Sequence, residues 1–359
     1  MPARSQASLR SRAKSLGAET APAAVPTGHE GDGSPTPILA AVDVNKFYID
    51  RSSRSRRRKI RAVDGVSVTV ERGRSVGIAG ESGSGKTTLM RLLLRLESPT
   101  SGSILYNGQA AQGLSGQALR EYRRSVQAVF QNPISSLDPR HDLWKSMTEP
   151  ASEAHPEMGK AEAVELAQRL LDEVGLPSEY VSRRPHQISG GEGQRVAIAR
   201  ALSCEPEVVL LDEPVTSLDV SVRGRVLELL ADRGESRGVT YVVVSHDVTA
   251  LNWLTDYMYV MYRGLIVEDG PTQELLTRPL HPYTELLVRA GMGAEVEQDQ
   301  TAGAPRPVRA APEIAASGCP YQARCPLVIE KCRDLPELTR GAERGVRCHV
   351  TSKQLSPSP

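Results

Sequence analysis

The chain has 359 residues, with 44 basic and 43 acidic side chains and a formal net charge of +1. Its length suits one large domain or two ordinary ones, and the charge balance excludes a molecule that grips polyanions through a global positive field. A hydrophobic content of 39% beside 30 Gly and 25 Pro points to a globular centre diluted by stretches that build no core. No apolar run approaches the ~18 residues that a membrane span needs, and the N-terminus lacks a secretory apolar segment. A soluble protein is expected, with any membrane role coming through a partner.

Residues 1–37 are rich in Ser, Ala, Pro, Gly and Thr without a hydrophobic period, a composition expected to stay disordered. Arg4, Arg10, Arg12 and Lys14, with no acid among the first eighteen residues, read as an organelle-targeting pattern or as an unstructured basic tail. From Ile38, ILAAVDVNKFYI and VDGVSVTV read as two strands. Between them RSSRSRRRKIR carries seven basic residues at positions 51–61. That run reads as a contact for nucleic acid or anionic lipid, or as a solvated hairpin loop. It has no interleaved aromatic residue, which argues against binding single strands.

Strands then alternate with helices. SVGIAG precedes KTTLMRLLLRL, VVLLDEP precedes VRGRVLELLADRG, and TYVVVSHD precedes another amphipathic stretch, the pattern of an α/β fold with a parallel sheet. Between Pro133 and Gln187 the strand pattern stops. KAEAVELAQRLLDEVGL places Val164, Ala167, Leu170, Leu171 and Val174 on one helix face, with Gly175 as the stop. A helical subdomain, about 132–188, is therefore expected inside an α/β domain spanning 38–290. A Gly/Ala/Pro/Gln-rich linker follows at 291–318, then a Cys-rich segment at 319–350. No internal repeat is present.

GESGSGKTT, from Gly80 to Thr88, fits G-x-x-x-x-G-K-[ST] between a predicted strand and a predicted helix. Gly80, Gly83 and Gly85, with Glu81, Ser82 and Ser84 between them, let successive backbone N–H groups turn around a phosphate. Lys86 would reach the β- and γ-phosphates and Thr87 would give a hydroxyl to Mg²⁺, with Thr88 the next residue of the nucleotide-binding stretch. EVVLLDEP brings Asp212 and Glu213 to the C-terminal edge of a parallel strand. Asp212 would hold Mg²⁺, and Glu213 would polarise the attacking water. ISGGEGQRVAIARAL offers a second helix start at Ser189, Gly190 and Gly191. One nucleotide needs one cradle, so the second suggests service to a nucleotide held by another subunit.

The ordered set of P-loop, FQNP (Gln131), SGG-x-x-QR, LLDEP, SLD (Ser217–Asp219) and SHD (His246) resembles the ATP-binding subunits of ABC transporters, from about Ile38 to Leu287. The resemblance implies a P-loop ABC-type nucleotide-binding domain with an antiparallel β subdomain, and two such domains sandwiching two ATP molecules. It further implies that Tyr48 stacks on adenine, Gln131 senses Mg²⁺ and the coupling interface, Asp219 lies at the dimer seam and His246 contacts the γ-phosphate. One departure stands out: Glu192 occupies the position where the family usually has Gln, and a carboxylate near a γ-phosphate is unfavourable unless it turns away or meets a cation.

HPYTELL (His281–Leu287), FQNPISSLDPR and the Cys tail are together similar to the ATPases of dipeptide, oligopeptide and nickel importers. The resemblance implies two permease subunits, a second ATPase and an extracytoplasmic solute-binding protein, with the chain peripheral on the cytoplasmic face of a bacterial inner membrane and no nucleic-acid partner. The rival reading is a soluble ABC ATPase acting on nucleic acid or the ribosome through the basic run. Cys319, Cys325, Cys332 and Cys348 follow C-x5-C-x6-C-x15-C, without the C-x2-C knuckles usual for structural zinc. Four thiolates suit a [4Fe–4S] cluster or Zn²⁺ by ligand count; reduced thiols or a disulfide are the alternative. Cys204, in a predicted helix before a strand, is expected to be a buried apolar residue.

Overall fold

The computed structural model describes residues 36–50, 58–216, 218–291 and 318–355. Almost all of the predicted N-terminal tail and linker, the first seven residues of the basic run and Ser217 lie outside them. β1 (Leu39–Asp50) and β2 (Arg58–Val70) pair antiparallel, with Leu39 opposite Val70 and Tyr48 opposite Ile60. The second strand begins earlier than its Val pattern predicts. Lys59, Ile60 and Arg61 of the basic run extend the ladder opposite Ile49, Tyr48 and Phe47. The Lys59 ammonium lies 3.9 Å from the centre of the Phe47 ring, a cation–π contact that holds this end of the hairpin together.

β3 (Val76–Ala79) leads through the P-loop into α1 (Lys86–Leu93). β4 (Ser101–Tyr106) and β5 (Gln109–Ala110) complete a four-stranded antiparallel sheet ordered β2-β1-β4-β5. α2 (Gly116–Ser125) and β6 (Val126–Val129) then return the chain to the main sheet. The helices α3 (Leu143–Ala154), α4 (Lys160–Glu173) and α5 (Gly190–Leu202) follow before β7 (Val208–Asp212). In α4 the buried residues are Ala163, Ala167, Leu170 and Leu171. The apolar face is therefore displaced by one position in the first turn, where Ala163 rather than the half-buried Val164 packs inward. Gly175, at φ 64°, turns the chain after it. Cys204 lies in the turn after α5 rather than in the helix; it is buried, and burial pushes its thiol up to about 11.

α6 (Val220–Arg237), β8 (Thr240–Ser245), α7 (Val248–Leu254), β9 (Tyr257–Tyr262), β10 (Leu265–Pro271), α8 (Thr272–Thr277) and α9 (Pro282–Gly291) complete the core. β9, β3, β8, β7 and β6 run parallel side by side. Every residue of β7 and β8 is buried, as expected of strands covered on both faces. Alternation divides them between two cores. Val208, Leu210, Val242 and Val244 join Ile78, Val66 and Leu89 beneath the antiparallel sheet. Val209, Leu211 and Val243 meet Leu171, Val196 and Leu230 on the helical side.

The Cys-rich tail docks on the same sheet. Its two-residue strands β11 (Thr339–Arg340) and β12 (Gly345–Val346) lengthen the main sheet to β11-β12-β10-β9-β3-β8-β7-β6. Two fully buried carboxylates anchor it. Glu268 accepts hydrogen bonds from the N–H groups of Leu280 and His281 at 2.9 and 2.8 Å and from Arg344 at 2.8 Å. Asp269 accepts from the Tyr257 hydroxyl at 2.6 Å and from Arg340 at 2.8 Å. Removing the cation from a buried pair leaves a desolvated charge, a loss of roughly 3–5 kcal/mol. The two N–H groups retained by Glu268 place Arg344→Ala at the low end, about 3 kcal/mol. Urea unfolding is expected to show this loss, with Arg333→Ala, on an exposed pair, near wild type.

Candidate nucleotide site

The P-loop runs from the buried end of β3 to α1. Gly85 has φ 108°, and a Cβ there would lie 2.1 Å from the carbonyl oxygen of Ala62. Gly83, at φ 80°, would meet nothing within 4 Å, so the loop is open at that point and filled at the other. The Lys86 ammonium donates to the carbonyl oxygens of Gly80 and Glu81 at 2.6 and 3.0 Å. Burial holds the lysine below its ordinary pKa, against the opposing pull of Glu213, Asp212 and Glu81. Among the described residues the buried Ser84 hydroxyl has no hydrogen-bond partner. An open left-handed glycine, an orphaned hydroxyl and a buried ammonium fit a bound phosphate chain.

Asp212 ends β7, and Glu213 follows with φ 50°, a left-handed conformation unusual for Glu and of the kind that collects at functional sites. The turn puts the Glu213 carboxylate among three partners. Its Oε2 accepts from the hydroxyls of Thr216 at 2.6 Å and Ser245 at 3.0 Å, and its Oε1 lies 2.7 Å from Nδ1 of His246. Burial alone would raise this carboxyl, but the bonds from Thr216, His246 and Ser245 outweigh it and hold the group below the usual range. The stability this contributes is present above the ordinary glutamate pKa and is lost as pH falls through the depressed one. Asp212 moves the other way, raised by burial and then by the neighbouring Glu213 charge, with Lys86 opposing. Two adjacent acids of which one is pushed upward, on the strand end that faces Lys86, and the exposed Thr87 of α1 offer oxygen donors of the kind a hard divalent cation takes.

Ser189 begins α5 as a side-chain cap, and the Glu192 departure is part of that cap. The Ser189 N–H and hydroxyl donate to Oε2 of Glu192 at 2.7 and 2.9 Å, and the Tyr180 hydroxyl donates to Oε1 at 3.0 Å. The backbone bond from Ser189 is the largest influence holding this carboxyl below its ordinary range. Ser189-x-x-Glu192 is thus a capping box, with Gly190 exposed and Gly191 half-buried between its two members at the helix start. Among the described residues no hydrogen bond or ion pair joins this cap to the P-loop of the same chain.

The remaining predicted residues surround these centres. Tyr48 is half-buried on β1, its hydroxyl 2.5 Å from Oε2 of Glu97, with Thr88 close enough to influence it. Gln131 is exposed just beyond β6, and Asp219 is exposed at the start of α6. The thiol of Cys319 is raised by burial first, then by Cys332, Cys325 and Cys348 in turn. The tail therefore gathers all four thiols into one neighbourhood, all of them free. Yet among the described residues no three His, Cys, Asp or Glu side chains converge as metal ligands. The expected iron–sulfur or zinc site is thus not borne out by the described side chains: the thiols share a neighbourhood without forming a ligand set. The sequence does not single out Thr216, Ser245 or Tyr180, although Ser245 opens the SHD stretch and Thr216 lies between LLDEP and SLD.

Residues 63–216 match the family model for ABC transporters, and residues 267–332 match that for the oligopeptide/dipeptide transporter C-terminal region. A probable peptide ABC transporter ATP-binding protein of Sinorhizobium fredii is 41% identical over 310 residues, covering 83% of this chain and 86% of that protein. The dipeptide transport ATP-binding protein of Escherichia coli is 38% identical, covering 89% and 96%. Among solved structures, a dimeric ATP-binding cassette in a post-hydrolysis state bound to ADP and Pi is 27% identical, with a TM-score of 0.59 over 65% of this chain and 98% of that one.

The two loop glycines make a quantitative test. Gly83→Ala is expected to cost only the left-handed strain, about 1–2 kcal/mol. Gly85→Ala adds a collision with main chain and is expected to abolish nucleotide binding. Fluorescent-nucleotide titration with thermal unfolding checks the order, which equal behaviour of the two variants would contradict.

Proposed function

We propose, from the premise that this chain belongs to the family of ABC transporter ATP-binding proteins, that it is the ATP-hydrolysing motor subunit of an importer for peptides or a related small solute. The match of residues 267–332 to the oligopeptide/dipeptide transporter C-terminal region carries the importer reading, and the names of the relatives support it. On this reading the chain lies peripherally on the cytoplasmic face of a bacterial inner membrane. It works with two permease subunits, a second ATPase and, across the membrane, a solute-binding protein. Among the described residues no helix is long and apolar enough to cross the membrane, so force must pass to such partners by contact.

In the catalytic step Lys86 leaves its carbonyl partners and pairs with the β- and γ-phosphates. Glu213, ionised and held by Thr216 and Ser245, orients water for in-line attack and accepts its proton. His246 steadies Oε1 through Nδ1, which leaves Nε2 as the ring's outward contact toward the γ-phosphate. Bound Mg²⁺ would neutralise charge on the phosphate oxygens, held by Thr87 and Asp212 with Gln131 beside them. Tyr48 stacks on the adenine.

Ser189, Gly190 and Gly191 serve the nucleotide of the opposing ATPase, and Asp219 lies at the seam. The Glu192 carboxylate is turned into the cap by Ser189 and Tyr180, with the Arg183 charge near it, which weakens its repulsion of that phosphate. The tail thiols take no step in this cycle. A [4Fe–4S] cluster or zinc there is supported by thiol count and neighbourhood alone; iron and sulfide in equal amounts after anaerobic purification would favour the cluster, and zinc alone would exclude it.

Glu213→Gln is expected to retain ATP affinity, lose ~10²–10⁴-fold in turnover and accumulate a closed ATP-bound dimer. Lys86→Ala is expected to lose ATP binding itself. Steady-state ATPase assays with nucleotide titration check both. Wild-type turnover in Glu213→Gln would overturn the base assignment, and unchanged affinity in Lys86→Ala would overturn the P-loop assignment.

A further inference from the structure

Glu81, the second residue of the P-loop, is held from three directions. Its carbonyl oxygen accepts from Lys86. Its N–H donates to the hydroxyl of Tyr283 at 2.6 Å, which belongs to the HPYT stretch that the catalytic account leaves unused. Its carboxylate takes a two-pronged ion pair from Arg324, with Nη1 at 2.9 Å from Oε2 and Nη2 at 3.0 Å from Oε1. Arg324 lies between Cys319 and Cys325, 243 residues away in sequence.

The arm that presents Arg324 is rigidly seated. Tyr321, three residues before it, is buried and packs against Tyr262 and Tyr283 with ring centroids 5.3 and 5.5 Å apart, and Tyr262 meets Tyr283 at 4.5 Å. Tilted and edge-on ring pairs of this kind have a preferred geometry, so the tail presents its guanidinium from a packed base. Behind the rings, Glu268 ties the chain at His281 to Arg344 of the tail.

The chemistry of the loop gives this brace a purpose. A P-loop that admits a polyanionic triphosphate while carrying its own carboxylate repels its ligand unless that charge is balanced. A forked guanidinium balances it in fixed geometry, where a lysine would supply only a point charge. We propose that Arg324 is a positioning residue for nucleotide binding: it neutralises and orients Glu81, so that docking of the Cys-rich tail sets the affinity of the P-loop for ATP. This rests on the ATPase reading above. The tail thereby becomes a built-in part of the nucleotide site, and a partner or chemical change that lifts it would weaken ATP binding without touching the hydrolytic carboxylate.

The test compares wild type, Arg324→Ala and the double variant Arg324→Ala/Glu81→Gln, using ATP-dependent steady-state kinetics and fluorescent-ADP titration, with thermal unfolding alongside. Arg324→Ala is expected to raise the ATP KM about 3- to 10-fold, the size of a strong but partly solvated ion pair, with kcat within about twofold of wild type. Neutralising Glu81 in the double variant is expected to restore KM, because the carboxylate left behind causes the loss. An unchanged KM in Arg324→Ala overturns the proposal. So does a loss that persists in the double variant with a lowered melting temperature, since the arginine would then act only by holding the tail folded. Absence of ATP hydrolysis in the wild type would instead sink the underlying ATPase reading, which separates the two failures.

Discussion

The site depends on keeping one ammonium, Lys86, charged inside protein. Burial works against it, and a lysine without nearby partners in such surroundings would neutralise. The loop answers with two carbonyl oxygens from its own backbone, and the turn into the helix passes Ala62 through Gly85, where a side chain would collide. The acids Asp212 and Glu213 favour the charged form from across the sheet edge. A phosphate chain would replace the carbonyls as partners of a cation whose desolvation the fold has already absorbed.

The parallel sheet makes that convergence possible. β3, β7, β8 and β6 point the same way, so Lys86, Glu213, His246 and Gln131 all follow the C-terminal ends of neighbouring strands, where ligands of open α/β sheets collect. Coverage on both faces accounts for the apolar strands. The strained turn at Glu213 is tolerated because Thr216, Ser245 and His246 each hold the carboxylate it presents. The tail then adds to the sheet's other edge and reaches back to the loop through Arg324.

Much of this was legible in sequence because its parts are local. A glycine-rich loop between strand and helix, two acids ending an apolar strand and a histidine after another are contiguous strings whose geometry follows from their spacing. The capping box at Ser189 was equally local, yet Glu192 looks like an electrostatic anomaly when compared with the family rather than with the S-x-x-E spacing. The early start of β2 was hidden by charge, since Lys59 and Arg61 resemble a solvated loop until Phe47 is placed opposite. Other features could not be read at all. The Glu81–Arg324 pair joins residues too far apart for any pattern to link, and β11 and β12 are too short to carry a period. The ligand count at the four cysteines was readable, whereas the placement of their side chains is not a property of spacing.

The central claim is that this ATPase drives membrane partners. It is tested most directly by affinity capture of the tagged full-length chain from detergent-solubilised membranes of its own cell, with partners identified by mass. The account predicts recovery of two polytopic permeases together with a second ATPase. Recovery of ribosomes or nucleic acid, with the chain absent from the membrane fraction, would contradict it.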